Sequence, residues 1–298
     1  MSDGLRFESL HAAGDLRVLS CTCRPGTTAR AGEECNFENS IVFVRRGAFV
    51  KHAPSGRVTA DASSVVFFRR GEPYSVSHLD THGDDCTILR IADADLLDAA
   101  RAHDESAEDV SCPVRFTHAP TEPETDLLHR RLHRALREAP QDASVVSQVV
   151  FDLADAALSA AVRARGASAT PSRRERTRAD DRDRVEAAKA LFAHRFRQPV
   201  GLRDAAAAAG CSAYHLSRVF RREVGCGLHS YLSRLRLRAA IDALLERRED
   251  LTTAALDAGF YDHAHFTNAF SRTFGFPPKA LRRASARGLL SALPRATD

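Results

Sequence analysis

"AAAAAGCSAYHLSRVFRREVG", residues 205 to 225, runs alanines into Gly210, places a serine at 212, and continues into a segment carrying Arg218, Arg221 and Arg222. A related string returns at 254 to 275 as "AALDAGFYDHAHFTNAFSRTFG". Leu202 to Gly210 and Leu251 to Gly259 are equally spaced, as are Phe220 to Gly225 and Phe270 to Gly275; the second turn is one residue longer. Such an internal duplication is a stronger signal than either copy alone.

Each copy reads as a short helix ending at a glycine, the residue that adopts a left-handed C-cap without steric cost. A second helix then starts at a good cap, Ser212 in the first copy and Asp262 in the second. Leu216, Val219 and Phe220 form one apolar face, matched by Phe266, Ala269 and Phe270. Small residues on the leading helices, Ala206 to Ala209 and Ala254 to Ala258, allow close approach. This pattern predicts two helix-turn-helix units with the second helix of each presented outward. Off the apolar stripe lie Tyr214, Ser217, Arg218, Arg221 and Arg222 in the first unit and His263, His265, Asn268 and Arg272 in the second. Arg, Asn, Ser and His match base edges in a major groove, and arginines toward the helix end suit phosphates. The competing reading is a helical adaptor with a merely solvated basic face. Between the units, "SYLSRLRLRAAIDALLERRED" reads as one long amphipathic helix with Leu232, Leu235, Ala239, Leu244 and Leu245 as core. At about 1.5 Å per residue it can hold two reading helices roughly one DNA turn, some ~34 Å, apart.

Charge agrees with this. Residues 181 to 298 hold 20 Lys+Arg against 12 Asp+Glu, a net of +8, while residues 1 to 180 carry a net of −4. A basic C-terminal part on an acidic body suggests a polyanionic partner. Seven cysteines, an odd and scattered count, suggest reduced thiols in a cytosol rather than a disulfide framework. "MSDGLRFESLHAAGD" lacks a basic start followed by an apolar stretch, so no signal peptide and a cytoplasmic chain are expected. No uninterrupted apolar run approaches the roughly 18 residues needed to cross a bilayer, so no membrane contact is expected.

The chain length of 298 suits two domains, and residues 165 to 183, "RGASATPSRRERTRADDRD", read as a linker between them. Before it, between 16 and 91, short β-branched and aromatic runs ("LRVLSCTC", "SIVFV", "AFVKH", "SVVFFRR", "YSVSH", "CTILRI") alternate with Gly/Pro turns, which indicates a sandwich or barrel. "TDLLHRRLHRALREA" and "SVVSQVVFDLADAALSAAV" then read as two amphipathic helices, which either cap the barrel or offer a face to a second copy. The expected class is α+β. A β-barrel spans 1–118, a helical dimerisation pair 119–164, the linker 165–183 and an all-α domain with two helix-turn-helix motifs 184–288.

The order "SAYHLSRVFRREVG", "YLSRLRLRAAIDALL", "DAGFYDHAHFTNAFSRTFGFPPKALR" resembles the DNA-binding domain of the AraC/XylS transcription regulators, over residues 185 to 283. The shared features include Gly259-Phe260, the Phe266/Phe270 pair, Gly275 and Pro278. The resemblance implies a seven-helix domain in a promoter-binding protein, usually an activator working with RNA polymerase. The chain is expected to be a homodimer paired through the helices at 124–164, and not an enzyme. By position the resemblance implies base reading by Tyr214, Ser217 and Arg218 and by His263, His265 and Asn268. The histidines and Ala264 depart from the longer polar side chains of many relatives, which shifts the second unit toward phosphate contact.

The N-terminal strands resemble, more loosely, the cupin-type effector domain common in that family. The histidine-rich metal motif of cupin enzymes is missing, which counts against catalysis. The segment instead offers Cys21, Cys23, Cys35, His78, His82 and Cys86. Cys21 and Cys23, two apart on a strand, share a face. His78 and Cys86 flank "LDTHGDD" and would face each other across a hairpin. Cys21, Cys35, His78 and Cys86 are thus candidate ligands for a metal effector such as zinc. Three other readings stay open: a thiol sensor built on the same cysteines, an organic small-molecule effector in the barrel, and a structural or dimerising barrel. Arg45, Arg46, Arg69 and Arg70 could hold an anionic effector or simply be solvated.

Overall fold

The computed structural model describes residues 4–105, 107–110, 112–166, 175–246 and 250–283. In chain order the elements are β1 (Leu5–Ala13), β2 (Leu16–Cys23), β3 (Glu34–Cys35), β4 (Ser40–Ala53), β5 (Gly56–Asp61), β6 (Ser64–Phe68), β7 (Pro73–His78), β8 (Asp84–Arg90), α1 (Asp93–Arg101), β9 (His118–Pro120), α2 (Pro123–Glu138), α3 (Ala143–Gly166), α4 (Glu175–Arg195), α5 (Leu202–Ala208), α6 (Ala213–Val224), α7 (Leu228–Glu246), α8 (Leu251–Asp257), α9 (His263–Phe274) and α10 (Pro278–Arg283).

The strands are antiparallel and form one layer in the order β1-β2-β8-β4-β6-β9, with β5 and β7 paired to the far half of β4 and β3 paired to β7. "RRG" at 45–47, expected to separate two strands, lies within β4, which runs on through a register shift between Val44 and Arg46. The bend lets one strand serve both halves of the sandwich. The apolar runs in β4 and β6 are continuous because both faces are covered. Ile41, Phe43, Val65, Phe67 and Leu89 face the helices, while Val42, Val44, Val66, Phe68 and Ile88 face the barrel interior.

Helices α2 and α3 close over the outer face. The apolar stripe of α3 (Val146, Val149, Val150, Leu153, Ala157) is fully used in this packing, and Gln148, Asp152 and Asp155 point outward. Ala143–Ala164 is long and apolar enough to cross a membrane although charged and polar residues interrupt it, and half of its most apolar window is buried in the protein.

In α2 Leu128 and Leu136 are only partly buried, whereas Asp126, His129, Arg130 and His133 are buried. That face is covered by α7 of the same chain rather than left for a second copy. Arg130, fully enclosed, lies 3.1 Å from Asp126 and 2.7 Å from Asp242 of α7, and donates to the Arg45 carbonyl at 2.9 Å. Arg46 reaches Asp242 and Glu246 at 3.1 and 3.2 Å. Arg238 donates to the Thr121 carbonyl and lies 3.5 Å from Asp126. Burial alone would lift the Asp242 carboxyl, but Arg130 and Arg46 hold it below the usual carboxylate range.

The expected linker is corrected over its described part. Residues 175 to 183 begin α4, while 167 to 174 lie outside the described residues. Asp181 is buried, and further along the helix Glu186 accepts from the Thr59 backbone N–H of β5. The charge-rich stretch therefore uses its acidic residues as docking groups.

Two cores meet along α7. Leu228, Tyr231, Leu232 and Leu235 join Val185, Phe192, Leu216 and Phe220 in one cluster. Leu237, Ala240, Ile241, Leu244 and Leu245 join the cluster that includes the outer face of the sheet, α3 and the second helical repeat. Ala239, expected as core, is only partly buried. Asp242→Ala would leave Arg130 buried beside Asp126 alone. The expected loss is about 3–5 kcal/mol of unfolding free energy, read from the urea midpoint at constant slope; a loss below about 1 kcal/mol would contradict the role assigned to this pair.

Candidate nucleic-acid interface and barrel cavity

The two repeats superpose in their local rules. α5 and α8 each have seven residues, and α6 and α9 each have twelve. Gly210 and Gly259 take positive φ of 61° and 87°, as the turn requires. Ser212 Oγ accepts the His215 N–H at 3.1 Å, and Asp262 Oδ1 accepts the His265 N–H at 2.6 Å. The additional residue in the second turn has a structural use. Phe260 is buried against Phe266, with ring centroids 5.3 Å apart, and Tyr261 is left 87% exposed.

Leu216, Val219, Phe220, Phe266 and Phe270 are buried, and Ala269 packs at the edge of the core. Tyr214, Ser217, Arg218, Arg221, Arg222, His263, His265, Asn268 and Arg272 are all exposed, on the faces opposite those cores. The Arg218 guanidinium sits 5.8 Å from the Tyr214 ring centre, which orients both side chains outward. His263 lies 3.4 Å from Thr267, and His265 meets the Phe260 ring edge-on. Tyr261 was not among the residues expected to matter; its only sequence signal was the longer second turn.

Arg222 is already engaged. Asp181 of α4 lies 2.9 Å from it and 3.0 Å from His215, and Glu223 lies 2.8 Å from it. A phosphate would have to exchange with these carboxylates.

In the N-terminal domain a cavity of about 420 Å³ opens between the two halves of the sandwich. Its walls include Val42, Phe49, Phe68, Tyr74, Val76 and Ile88, and one corner carries Cys21, Cys23, His78, Asp84 and Cys86. Cys21 and Cys86 are register partners on β2 and β8. Two expectations change here. β7 and β8 do not form a hairpin, because β7 pairs with the far half of β4 and β8 with its near half. Cys35 is exposed on β3 and is not part of the cavity wall. His82 is exposed as well.

Burial, with Asp84 beside it, pushes the Cys21 thiol up to about 12, and the same two causes bring Cys23 to about 11; Cys86 is also raised well above its ordinary value. These are protonated thiols at neutral pH, the opposite of the depressed values a reactive sensor requires. The four arginines considered for an anionic effector have internal partners. Arg45 donates to Ser20 and the Cys86 carbonyl, Arg46 pairs with Asp242, Arg69 with Glu72, and Arg70 with Asp93.

Residues 205–284 match the family described as "Helix-turn-helix domain". Both helical repeats lie almost wholly within that match. Among curated relatives, the HTH-type transcriptional regulator GlxA of Rhizobium meliloti is 40% identical over 77 residues, 26% of this chain and 24% of that protein. The transcriptional regulator Rob of Salmonella typhimurium is 34% identical over 88 residues, 30% of each chain. The probable transcription factor PqrA of Proteus vulgaris is 36% identical over 73 residues, 24% of this chain and 60% of that one. The chain thus spans between a quarter and three fifths of the length of these relatives. Among solved structures, ToxT of Vibrio cholerae aligns over 94% of this chain and 100% of its own, with a TM-score of 0.35 and 10% identity.

Asp181→Asn removes the carboxylate that occupies Arg222 and His215. Duplex DNA affinity is expected to rise severalfold at low salt, with the slope of log K against log salt steeper by about one; an unchanged slope would show that this arginine stays clear of phosphates.

Proposed function

We propose that this chain is a promoter-binding transcription regulator whose cupin-like N-terminal barrel takes up an effector. The observation that carries the reading is the matched pair of capped recognition helices with all nine candidate contacts exposed. A major groove admits one α-helix, so two such helices on one rigid connector suit successive grooves on one side of a duplex. Tyr214, Ser217 and Arg218, and His263, His265 and Asn268, are assigned to base edges. Arg221, Arg222 and Arg272 are assigned to phosphates.

The proposal includes activation and contact with RNA polymerase, as the AraC/XylS resemblance implies, and homodimer formation. One chain already carries both recognition helices, so two adjacent grooves can be met before any pairing of chains. The effector would act by differential affinity for two arrangements of the barrel against the C-terminal part. The α2–α7 contact is where such a difference would be transmitted. The cavity volume falls in the range of small-molecule sites.

The test uses a site selected from a randomised duplex pool. Arg218→Ala is expected to relax discrimination at one base position by about 1–3 kcal/mol. Arg272→Ala is expected to weaken binding to every duplex and to lower the salt slope by about one. Failure of any sequence to emerge from selection, or equal effects of both variants on all duplexes, would favour an architectural protein without sequence preference.

A further inference from the structure

The polar corner of the barrel cavity gathers donors of three kinds. One ligand atom each from Cys23, His78 and Asp84 lie within 4.8 Å of one another. They come from three strands whose positions are set by backbone ladders. Cys23 at the end of β2 is the register partner of Asp84 at the start of β8. His78, the last residue of β7, is held opposite Phe49 on the other half of the sandwich. The set is therefore placed by the fold rather than by a loop.

Asp84 is buried, and among the described residues the only ion-pair partner of its carboxylate is His78, at 2.8 Å. Its second oxygen accepts from the Cys86 thiol at 3.0 Å. A buried carboxylate is ordinarily matched by an Arg or Lys or bound to a metal. Here its neighbours are an imidazole and thiols, all of them metal ligands.

We propose that Cys23, His78 and Asp84 form a binding site for a divalent metal ion of the zinc class. A thiolate and a carboxylate balance a charge of +2, and the imidazole ligates as a neutral base. Binding releases the Cys23 proton to solvent. Mixed sulfur, nitrogen and oxygen donors suit zinc and exclude calcium and magnesium, which take oxygen alone. Bonds of about 2.0–2.3 Å in a tetrahedron put donor atoms roughly 3.3–3.8 Å apart, so the observed cluster needs small side-chain adjustments and no backbone movement. Three protein ligands leave the fourth position facing the cavity, open to water or to a donor atom of a small ligand. Of the four ligands expected from sequence, only His78 belongs to this set. The proposal concerns the barrel alone and stands whether or not the recognition helices bind DNA.

The experiment titrates the full chain, freed of metal by a chelator, with Co²⁺ under reducing conditions. The expected result is saturation at one equivalent, with the visible bands of a tetrahedral site and a thiolate-to-cobalt charge-transfer band, both erased by Zn²⁺. The nearly isosteric Cys23→Ser should lose the charge-transfer band, Asp84→Asn should lose stoichiometric binding, and Cys35→Ser should retain both; thermal melts confirm that each variant is folded. No saturation at one equivalent, binding without the charge-transfer band, or a Cys23→Ser spectrum identical to wild type would overturn the site. So would an Asp84→Asn variant that is destabilised yet binds cobalt as wild type does, which would make His78–Asp84 a structural pair only.

Discussion

Helix α7 is committed to two cores at once, and the buried charges around Arg130 hold it in place. Its first half completes the core beneath the first recognition helix. Its second half belongs to a cluster continuous from the barrel's outer face to Phe266 and Phe270 beneath the second. The ion pairs of Arg130 and Arg46 with Asp242 fix its register against α2 and β4. Partly matched buried charges are costly, and their gain is a single allowed arrangement. The spacing of the two recognition helices and their relation to the barrel are therefore one constraint, expressed on opposite sides of the same helix.

This gives a physical route from the cavity to the exposed faces of α6 and α9. β4 lines the cavity with Val42 and Phe49 and, between them, carries Arg45 and Arg46 outward to α2 and α7. The bend in β4 at Val44/Arg46 lies between these two duties. Asp61 of β5 accepts from Tyr231 of α7, and Glu186 of α4 caps the Thr59 N–H, so the same sandwich also grips the first unit. A ligand that alters the strand ends around the cavity would act on both units through backbone-connected contacts.

The double repeat was legible from sequence because its signals are local. Glycines at fixed intervals, Ser212 and Asp262 as caps, and apolar residues on one stripe require no knowledge of the rest of the chain. The strands were legible where β-branched runs were dense, and β1 and β5 escaped because "LRFESLHAA" and "GRVTAD" are half polar. What could not be read were pairings between distant segments. Residues 175 to 183 look like a solvated linker until Asp181 is seen to hold Arg184, His215 and Arg222. The polar side of α2 looks solvent-facing until Asp242, far along the chain, arrives to match it. For the same reason the metal-ligand set was only partly foreseen. The thiols and His78 could be picked by type, but Asp84 joins them only through the β2–β8 register.

The most direct test is hydroxyl-radical footprinting of the full chain on a selected duplex. Two recognition helices fixed by α7 predict two protected patches about one helical turn, roughly 10 base pairs, apart on one side of the DNA. Protection confined to a single groove, or patches on opposite sides of the duplex, would contradict the account.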